Sequence, residues 1–400
     1  MVMSKNPVKY SCRTETEKPK ILLASAPSKA CYLAVEHPDD WGFDPSLKEY
    51  QHSSQKWLDD AVTEHNKMVE TVKGQGIEVL YVEHLLGQRE AECRDYVSRE
   101  FKKTEARIEG FGRKIENAIH ASYEKMLESP VDGLLLGLEA GKSFEKLSYE
   151  TKLKVYRSIK TLMPQNSLYF TQDPVISTPS GLVKSKMAMW DRKQEPDILQ
   201  LALGKENYMH ELKNTTEGGD VTMFSYVHGG DIFFADSIML LGISALSGRG
   251  IEKEAENLKD KAKLNLVKFY VPDFFDQSLQ YAGGNVMHLD TLFMPLSDIA
   301  LLGNRRMMKE TAVREHGKPI RDAYSWAQGK FERFVEVPDD EHLKWGANVL
   351  PVGDNTVISS EHLTKTNSNL EKAGITVIAI PNPTLTSGYG SIHCMVAHIG

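Results

Sequence analysis

The 400-residue sequence predicts an α/β fold, because one local pattern recurs along it: a helix, a glycine and then a strand. The pattern is clear in MVETVKGQGIEVLYVE (68–83) and NLEKAGITVIAI (369–380), and looser in IEKEAENLKDKAKLNLVKFYVP (251–272). Glycine after the last helical turn, followed by alternating Ile and Val, is typical of a helix-to-strand junction. Repetition of this unit indicates an architecture built from similar modules.

The remaining segments complete the predicted organisation. Residues 85–160 are charged, have helical apolar spacing and contain few β-branched residues, so we expect a helical insertion there. Residues 165–300 and 345–400 carry short strand patterns separated by Gly, Pro and Ser. Residues 1–19 are a polar N-terminal extension, and we expect residues 20–400 to form one catalytic body around the insertion, because no low-complexity linker divides them.

The composition is that of an ordinary globular protein, with 41% hydrophobic and 26% charged residues. A net charge of -7 argues against a nucleic-acid surface, which needs a clustered basic face. The four cysteines, Cys12, Cys31, Cys93 and Cys394, form no CxxC pair, so neither a zinc ribbon nor a disulfide framework is expected. The N-terminus has no apolar signal region and the apolar runs are too short to span a membrane, so we expect a cytoplasmic protein.

The motif LYFTQDP (168–174) reads as a short aromatic strand that ends at Asp173. Its carboxylate would then lie at a strand-to-loop boundary, where functional groups are often found. The alternative is an Asp that only starts a turn, which an Asp-Pro pair favours.

The motif TEGGDV (216–221) places two acids, Glu217 and Asp220, on either side of Gly218 and Gly219, directly before a strand pattern. The two glycines would let the backbone approach a ligand closely while the acids line a cleft. A tight turn with polar residues is the alternative.

The motif NVMHLDTLFMPL (285–296) reads as an apolar strand with His288 and Asp290 on one face. Polar groups in such a strand must be satisfied or used, so the pair can be an acid/base unit, a salt-bridged core pair or a metal site. The metal interpretation is the weakest, because no second cluster of ligand residues follows.

Cys394 lies in the last strand-like segment, SGYGSIHCMVAHIG, directly after a Gly-rich loop. A cysteine there is either a small apolar core residue or a nucleophile. On a strand, His393 would point away from Cys394 and would be a poor activating base. His288 is then the best candidate.

In this order, FTxD, EGGD, HLD and a C-terminal cysteine resemble the guanidino-group-modifying enzymes, and most closely the arginine deiminase family. The likeness includes KPKILLASAPS, the helical segment after the first module, and WGANVLPVGDNTVISS followed by TNSNLEKAGITVI. It implies a five-fold pseudosymmetric α/β propeller of ββαβ modules around a central cleft. It also implies a small guanidino-type substrate and water, with no metal or organic cofactor.

The resemblance implies a role for each motif residue. Asp173 and Asp290 bind the planar guanidinium in its own plane. Cys394 attacks the guanidinium carbon, and His288, oriented by Glu217, protonates the departing nitrogen and then activates water. Asp220 and the two glycines beside it support the site. The product is released from a thiouronium-type intermediate.

Several positions depart from the family pattern. The chain has Gln172 where an arginine is common, Tyr389 in the loop that helps to hold the α-carboxylate, and Leu246 where a charged residue is common. Arg192, Lys193 or Arg249 can supply a replacement contact. We therefore expect a substrate with an altered or missing α-carboxylate, with Tyr389, Gln172, Leu246, Arg192 and Arg249 as the candidate contacts to its tail.

Two other functions remain open at this point. An amidinotransferase uses the same cysteine and histidine but passes the amidino group to an amine. A non-catalytic relative would bind a ligand in the cleft, although five intact site residues argue against it. The oligomeric state is left open, a homo-oligomer included.

Overall fold

The computed structural model describes residues 10–12, 14–41, 43–44, 50, 53–211, 226, 228–235, 238–243, 255–256, 259–260, 264–271 and 288–400. Within these residues the strands form five sheets, four with three strands and one with five. The strands are β1 (Ile21–Ala24), β2 (Glu78–Tyr81), β3 (Val175–Thr178), β4 (Gly181–Lys184), β5 (Tyr208–Glu211), β6 (Ile232–Ala235), β7 (Ile238–Ile243), β8 (Asn265–Tyr270), β9 (Phe293–Ser297), β10 (Ala300–Gly303), β11 (Ala312–Glu315), β12 (Arg321–Asp322), β13 (Arg333–Glu336), β14 (Leu350–Gly353), β15 (Thr356–Ser360), β16 (Thr376–Ile380) and β17 (Val396–His398).

All five sheets contain the same unit, an antiparallel pair joined to a third strand that runs parallel to the second. The antiparallel pairs are β3–β4, β6–β7, β9–β10, β14–β15 and β17–β1. The parallel additions are β5, β8, β13, β16 and β2. In the larger sheet, β11 and β12 extend the edge beyond β8. The predicted α/β architecture of similar modules is therefore confirmed in its secondary structure.

The unit that contains β1 joins the two ends of the chain. β17 pairs antiparallel with β1, with Leu23 opposite Ala397, and β1 pairs parallel with β2. The last strand is therefore the first strand of the module that the N-terminal strand continues.

The helix–glycine–strand pattern is confirmed at both clear sites. The helix Ser54–Gly74 is followed by Gly76 and β2, and the helix Thr364–Lys372 is followed by Gly374 and β16. Both glycines have a positive φ, 75° and 77°, which a residue with a side chain rarely adopts.

The segment predicted as a helical insertion is helical. Its helices are Val82–Gly87, Glu90–Ile108, Arg113–Glu128, Pro130–Leu136, Lys142–Glu145 and Tyr149–Ile159. The other α-helices are Tyr32–Glu36, Pro38–Trp41, Glu195–Leu203, Leu289–Leu292, Arg305–Glu310, Ala323–Gln328 and Asp339–His342. The division of the chain into extension, catalytic body and insertion stays a prediction.

One large apolar core joins the helical segment to the sheets. Val97 and Phe101 from one of its long helices share this core with Leu23 of β1, Val175 of β3 and Cys394. A second core packs under β8–β10, and a third lies between β4 and β6–β7. Among the described residues, no helix has both the length and the apolar character that a membrane span requires.

Three predicted strands are turns or a helix in the structure. Residues 166–169 and 171–174 form turns, and β3 begins only at Val175. His288 precedes the helix Leu289–Leu292, which contains Asp290, and β9 begins after it. Cys394 lies in a turn before β17. These apolar segments are buried, and backbone hydrogen bonds within them, such as Phe170 N–H to Ser167 O (3.0 Å), satisfy their polar groups locally.

Candidate active site

The candidate site is built from the residues that precede the first strand of each module. Asp173 precedes β3, Asp231 precedes β6, Asp290 precedes β9, Asn348 precedes β14 and Cys394 precedes β17. Each lies at most three residues before its strand. The contacts of these residues and of His288 bring loop residues from distant parts of the chain together.

Cys394 is buried, 4% exposed, with its Sγ 3.4 Å from Asp290 Oδ2. Its backbone N–H donates to Asn348 Oδ1 at 3.2 Å, and Asn348 Nδ2 donates to Asp290 O at 3.3 Å. Burial, and then the charges of Asp290 and Asp173, raise the pKa of the thiol well above its usual range. The thiol is therefore protonated at neutral pH until a positive charge enters the site.

His393 does not point away from Cys394, as strand alternation predicts. Its Nδ1 lies 2.9 Å from Asp290 Oδ2, the same oxygen that Cys394 Sγ approaches. The prediction is wrong because the segment is a turn, in which neighbouring side chains need not alternate. Burial works to lower the pKa of His393, but Asp290 and Glu15 raise it to about 9.

Asp173 is held between two cations. Its Oδ2 accepts a hydrogen bond from Arg192 Nη1 at 2.7 Å, and its Oδ1 lies 3.2 Å from His288 Nδ1. Burial works to raise the pKa of Asp173, but His288 and Arg192 lower it to about 2. The carboxylate is therefore ionised over the whole working range of pH.

Arg192 is anchored before any ligand binds. Its Nε donates to Glu195 Oε2 at 2.9 Å, and its Nη2 donates to Phe170 O at 3.2 Å. With the bond to Asp173, the guanidinium is fixed on three sides. Arg192, which was predicted as a contact to the substrate tail, therefore binds the acidic groups Asp173 and Glu195 of the site.

His288 has a second partner that sequence reasoning missed. His228 Nδ1 lies 2.6 Å from His288 Nε2, and both rings are buried. The Ala188 N–H donates to His228 Nε2 at 3.0 Å, so the ring proton of neutral His228 sits on Nδ1 and points at His288. The sequence motifs assign no role to His228, yet its ring lies directly against the predicted base, His288.

The pKa values of the two rings are shifted in opposite directions. Burial, together with the neighbouring His288, lowers the pKa of His228 well below its ordinary value. Burial also works to lower the pKa of His288, but Asp173, Asp231 and Asp290 raise it above its ordinary value. His288 is therefore the more basic of the two rings, and in its neutral form its Nε2 accepts the Nδ1–H of His228.

His228 belongs to a second Gly-Gly-Asp motif, HGGD (228–231), which precedes β6. Gly229 N–H donates to Asp173 O at 2.9 Å, and a Cβ at Gly229 would overlap the Gln172 carbonyl oxygen. The repetition of Gly-Gly-Asp before a strand was the available signal, but only the first copy, at 217–220, was considered. Asn348 had no such signal.

A metal ion is the remaining possibility for this cluster. Among the described residues, His228, Asp231 and His288 offer ligand atoms within 4.8 Å of one another. The two imidazole nitrogens that would have to face an ion are already hydrogen-bonded to each other. Burial raises the pKa of Asp231 to about 7, and its Oδ1 accepts the Leu289 N–H at 3.2 Å. These contacts occupy His228 Nδ1, His288 Nε2 and Asp231 Oδ1, while Asp231 Oδ2 has no hydrogen-bond partner among the described residues.

Six predicted site residues lie outside the described residues, and their roles stay predictions: Glu217, Gly218, Gly219, Asp220, Leu246 and Arg249. Of the predicted tail contacts, Gln172 is buried and its side chain hydrogen-bonds Glu15. Tyr389 has a positive φ of 64° and packs edge-on against Trp345, with ring centroids 6.4 Å apart.

The family model described as arginine deiminase matches residues 51–400. The chain belongs to the arginine deiminase family. Arginine deiminase of Oenococcus oeni is 24% identical over 367 residues, which cover 84% of this chain and 85% of that protein. Arginine deiminase of Borrelia garinii subsp. bavariensis is 26% identical over 382 residues, covering 87% and 89%.

Solved structures share the fold of this arginine deiminase family member. A DDAH from Pseudomonas aeruginosa, complexed with citrulline, has a TM-score of 0.54 at 13% identity and covers 95% of this chain and 99% of its own. An amidinotransferase of the saxitoxin pathway from Microseira wollei has a TM-score of 0.56 at 12% identity, covering 98% and 97%. The predicted relation to the guanidino-group-modifying enzymes is confirmed.

Proposed function

We propose that this chain is a cysteine-dependent hydrolase of the deiminase type that cleaves a C–N bond of a guanidino group in a small molecule. The observation that carries the proposal is a pair of buried carboxylate oxygens, Asp173 Oδ1 and Asp290 Oδ1, which receive no hydrogen bond from the described residues. Buried anionic oxygens without donors are costly. A guanidinium supplies N–H donors to both oxygens, and its positive charge offsets the negative charge around Cys394.

In the first step, the bound cation offsets the charges of Asp290 and Asp173, which lowers the pKa of the Cys394 thiol, and the thiol releases its proton to solvent water. The thiolate forms a C–S bond to the guanidinium carbon. His288 donates its proton to the departing nitrogen as the C–N bond breaks, so ammonia or an amine leaves neutral. A thiouronium-type intermediate remains on Cys394.

In the second step, neutral His288 removes a proton from water, and the resulting hydroxide attacks the same carbon. The C–S bond breaks and the hydroxyl proton of the tetrahedral intermediate passes to the Cys394 sulfur, so the thiol is restored and a neutral ureido product leaves. The contact of His228 Nδ1 with His288 Nε2 restricts the orientation of the His288 ring, which is the role that the resemblance gave to Glu217. We propose that His228 orients His288.

We further propose that the substrate lacks the α-carboxylate of free arginine or carries it in an altered form. Arg192 is already bound to Asp173 and Glu195, and Tyr389 and Gln172 are neutral, which supports this proposal. Loss of a bidentate contact between arginine and a carboxylate costs about 3 kcal/mol, or roughly a hundredfold in affinity. We also propose that the five sheets are the blades of the propeller that the resemblance implies.

The test compares L-arginine with agmatine, which differs from it only by the missing carboxylate, in water enriched in ¹⁸O. Hydrolysis places one ¹⁸O in the ureido product, which mass spectrometry detects. We expect a kcat/KM for agmatine at least about tenfold above that for L-arginine. The Cys394→Ala variant is expected to form no product from either.

Equal or faster turnover of L-arginine would contradict the proposal about the tail. A guanidino product on an added amine such as glycine, without ¹⁸O, would identify an amidinotransferase. No product from any guanidine, with a Cys394 that does not react with iodoacetamide at any pH, would contradict the enzymatic proposal.

A further inference from the structure

The N-terminal residues 10–12 and 14–20 precede the region matched by the family model, which covers residues 51–400, yet they contact all five sheets. Three backbone N–H groups donate to successive modules: Ser11 to Ile399 O (3.0 Å), Cys12 to Thr178 O of β3 (3.1 Å) and Glu15 to Phe234 O of β6 (2.9 Å). Thr16 Oγ1 then donates to Asp298 Oδ1, after β9, at 2.8 Å. Lys18 lies against Gly353 of β14, where a Cβ would overlap the lysine side chain. The last of these contacts is the hydrogen bond that Lys20 N–H donates to Gly400 O, after β17, at 2.8 Å. We name residues 10–20 the N-terminal strap.

The strap carries one buried carboxylate into the centre of the molecule. Glu15 is 4% exposed, and its Oε2 lies 3.7 Å from His393 Nε2. Neither atom has a hydrogen-bond partner among the described residues, and both are buried. Glu17, two residues later on the same strap, is exposed. Glu15 is thus directed inward by the path of the strap.

His393 bridges this carboxylate to the candidate nucleophile. One ring nitrogen, Nε2, faces Glu15, and the other, Nδ1, lies 2.9 Å from Asp290 Oδ2. That oxygen in turn lies 3.4 Å from Cys394 Sγ. An imidazole between two carboxylates is stabilised in its doubly protonated form, in which each nitrogen donates to one acid.

The groups around His393 support this charge state. Asp290 and Glu15 are the ionisable groups that raise its pKa, to about 9. The His398 ring lies 5.9 Å away between centroids, and burial lowers the pKa of His398 to about 3, so it stays neutral. Phe233 covers a further side of the ring at 5.8 Å and carries no charge.

We propose that Glu15 is a positioning residue of the active centre: through His393 it orients the Asp290 carboxylate, so that Oδ2 faces Cys394 and Oδ1 is presented to the substrate. The N-terminal strap is then a functional part of the site and not a polar extension of it. The role in catalysis rests on the proposed function. The prediction that Glu15 helps to keep His393 protonated does not depend on the proposed function.

The experiment compares Glu15→Gln with the matched control Glu17→Gln in the full chain. Glutamine keeps the length of the side chain and a polar group that faces His393 Nε2, but it removes the charge. The first readout is the titration of His393 by NMR in histidine-labelled protein, assigned with His393→Gln. We expect Glu15→Gln to lower its midpoint by about one pH unit or more, while Glu17→Gln leaves it unchanged.

The second readout is the pH dependence of Cys394 alkylation by iodoacetamide and of kcat/KM for agmatine. In Glu15→Gln, we expect the changes in alkylation rate and in kcat/KM at alkaline pH to occur at a lower pH, together with the lower midpoint of the His393 titration. A strap with only a structural role would lower the melting temperature and move no midpoint.

An unchanged His393 titration in Glu15→Gln would overturn the proposal, as would a shifted titration with unmoved profiles. If no guanidine is turned over by the natural sequence, the proposed function fails, while the titration and the alkylation profile still decide whether Glu15 acts on Asp290 and Cys394 through His393.

Discussion

The thiol of Cys394 is surrounded by negative charge, which is unusual for a nucleophile. Catalytic thiols are commonly activated by nearby cations, which lower the pKa. Here burial and the carboxylates of Asp290 and Asp173 raise it. If the substrate is the missing cation, the thiol is activated only when the substrate is bound, and side reactions of the free enzyme are suppressed.

We predict that Asp290→Asn speeds the alkylation of Cys394 in the absence of substrate, because it removes the nearest negative charge. A fall of one unit in the pKa of the thiol raises the thiolate fraction about tenfold below that pKa. The rate of carbamidomethylation at pH 8, followed by peptide mass spectrometry, measures this effect. Cys31 and Cys93 serve as internal controls, because burial raises their pKa values to about 12 and about 11. An unchanged rate at Cys394 would mean that Asp290 does not control the thiol.

His228 leads to a second prediction at the residue scale. Replacing it by glutamate puts a carboxylate beside His288 Nε2, where a neutral imidazole now donates. A carboxylate stabilises the protonated ring, so we expect the His288 titration in His228→Glu to move up by about one pH unit or more. The NMR titration of His288 measures this shift. His228→Gln, which adds no charge, is the matched control, and equal titrations in the two variants would contradict the prediction.

At the scale of elements, the short helix Leu289–Leu292 decides where His288 and Asp290 point. Thr291 Oγ1 donates to His288 O at 2.7 Å, and Asp231 Oδ1 accepts the Leu289 N–H at 3.2 Å. The four residues LDTL are too few to form a helix by propensity alone. These side-chain contacts therefore hold the helix in place, and β9 follows immediately.

We predict that Thr291→Val lowers the free energy of unfolding by about 1–2 kcal/mol and also lowers kcat more than it raises KM. The lost hydroxyl frees the His288 backbone, so the base is oriented less well. Thr311→Val is the matched control, because Thr311 Oγ1 also donates to a carbonyl at a helix end, Met307 O, at 3.0 Å. Urea unfolding and agmatine kinetics on both variants separate the two effects. Equal losses of activity in the two would contradict a specific role for Thr291.

At the scale of the whole molecule, the site buries acids whose ionisation opposes folding. Burial raises the pKa of Asp231 to about 7 from an ordinary value of 3.8. The folded chain therefore binds this proton more tightly than the unfolded chain. The resulting stability is fully present below pH 3.8 and is lost as the pH rises to about 7.

We predict that Asp231→Asn becomes more stable relative to the natural sequence as the pH rises, because asparagine stays neutral and still accepts the Leu289 N–H. The difference in free energy of unfolding should grow by about 2 kcal/mol between pH 5 and pH 8. Urea unfolding at a series of pH values measures it, with the exposed Asp95→Asn as control. A difference that stays constant with pH would show that Asp231 is not an ionisable group of the folded centre.

The sequence by itself determined the local units of this protein. The helix–Gly–strand junctions at Gly76 and Gly374 follow from backbone conformation, which the residue types dictate over a few positions. Cys394, His288, Asp173 and Asp290 were selected from short motifs, and the structure brings them together. The same motifs were misjudged as strands, because burial gives turns and strands the same apolar pattern.

Only the tertiary structure decided which groups surround these four. Glu15, His228 and Asn348 come from segments 46 to 379 residues away from Cys394 along the chain, and no local pattern relates them to it. They meet because similar modules place their leading loops at a common centre, while the N-terminal strap crosses all five sheets. The charge of each buried group depends on those neighbours, so the chemistry of the centre follows from packing and not from the motifs alone.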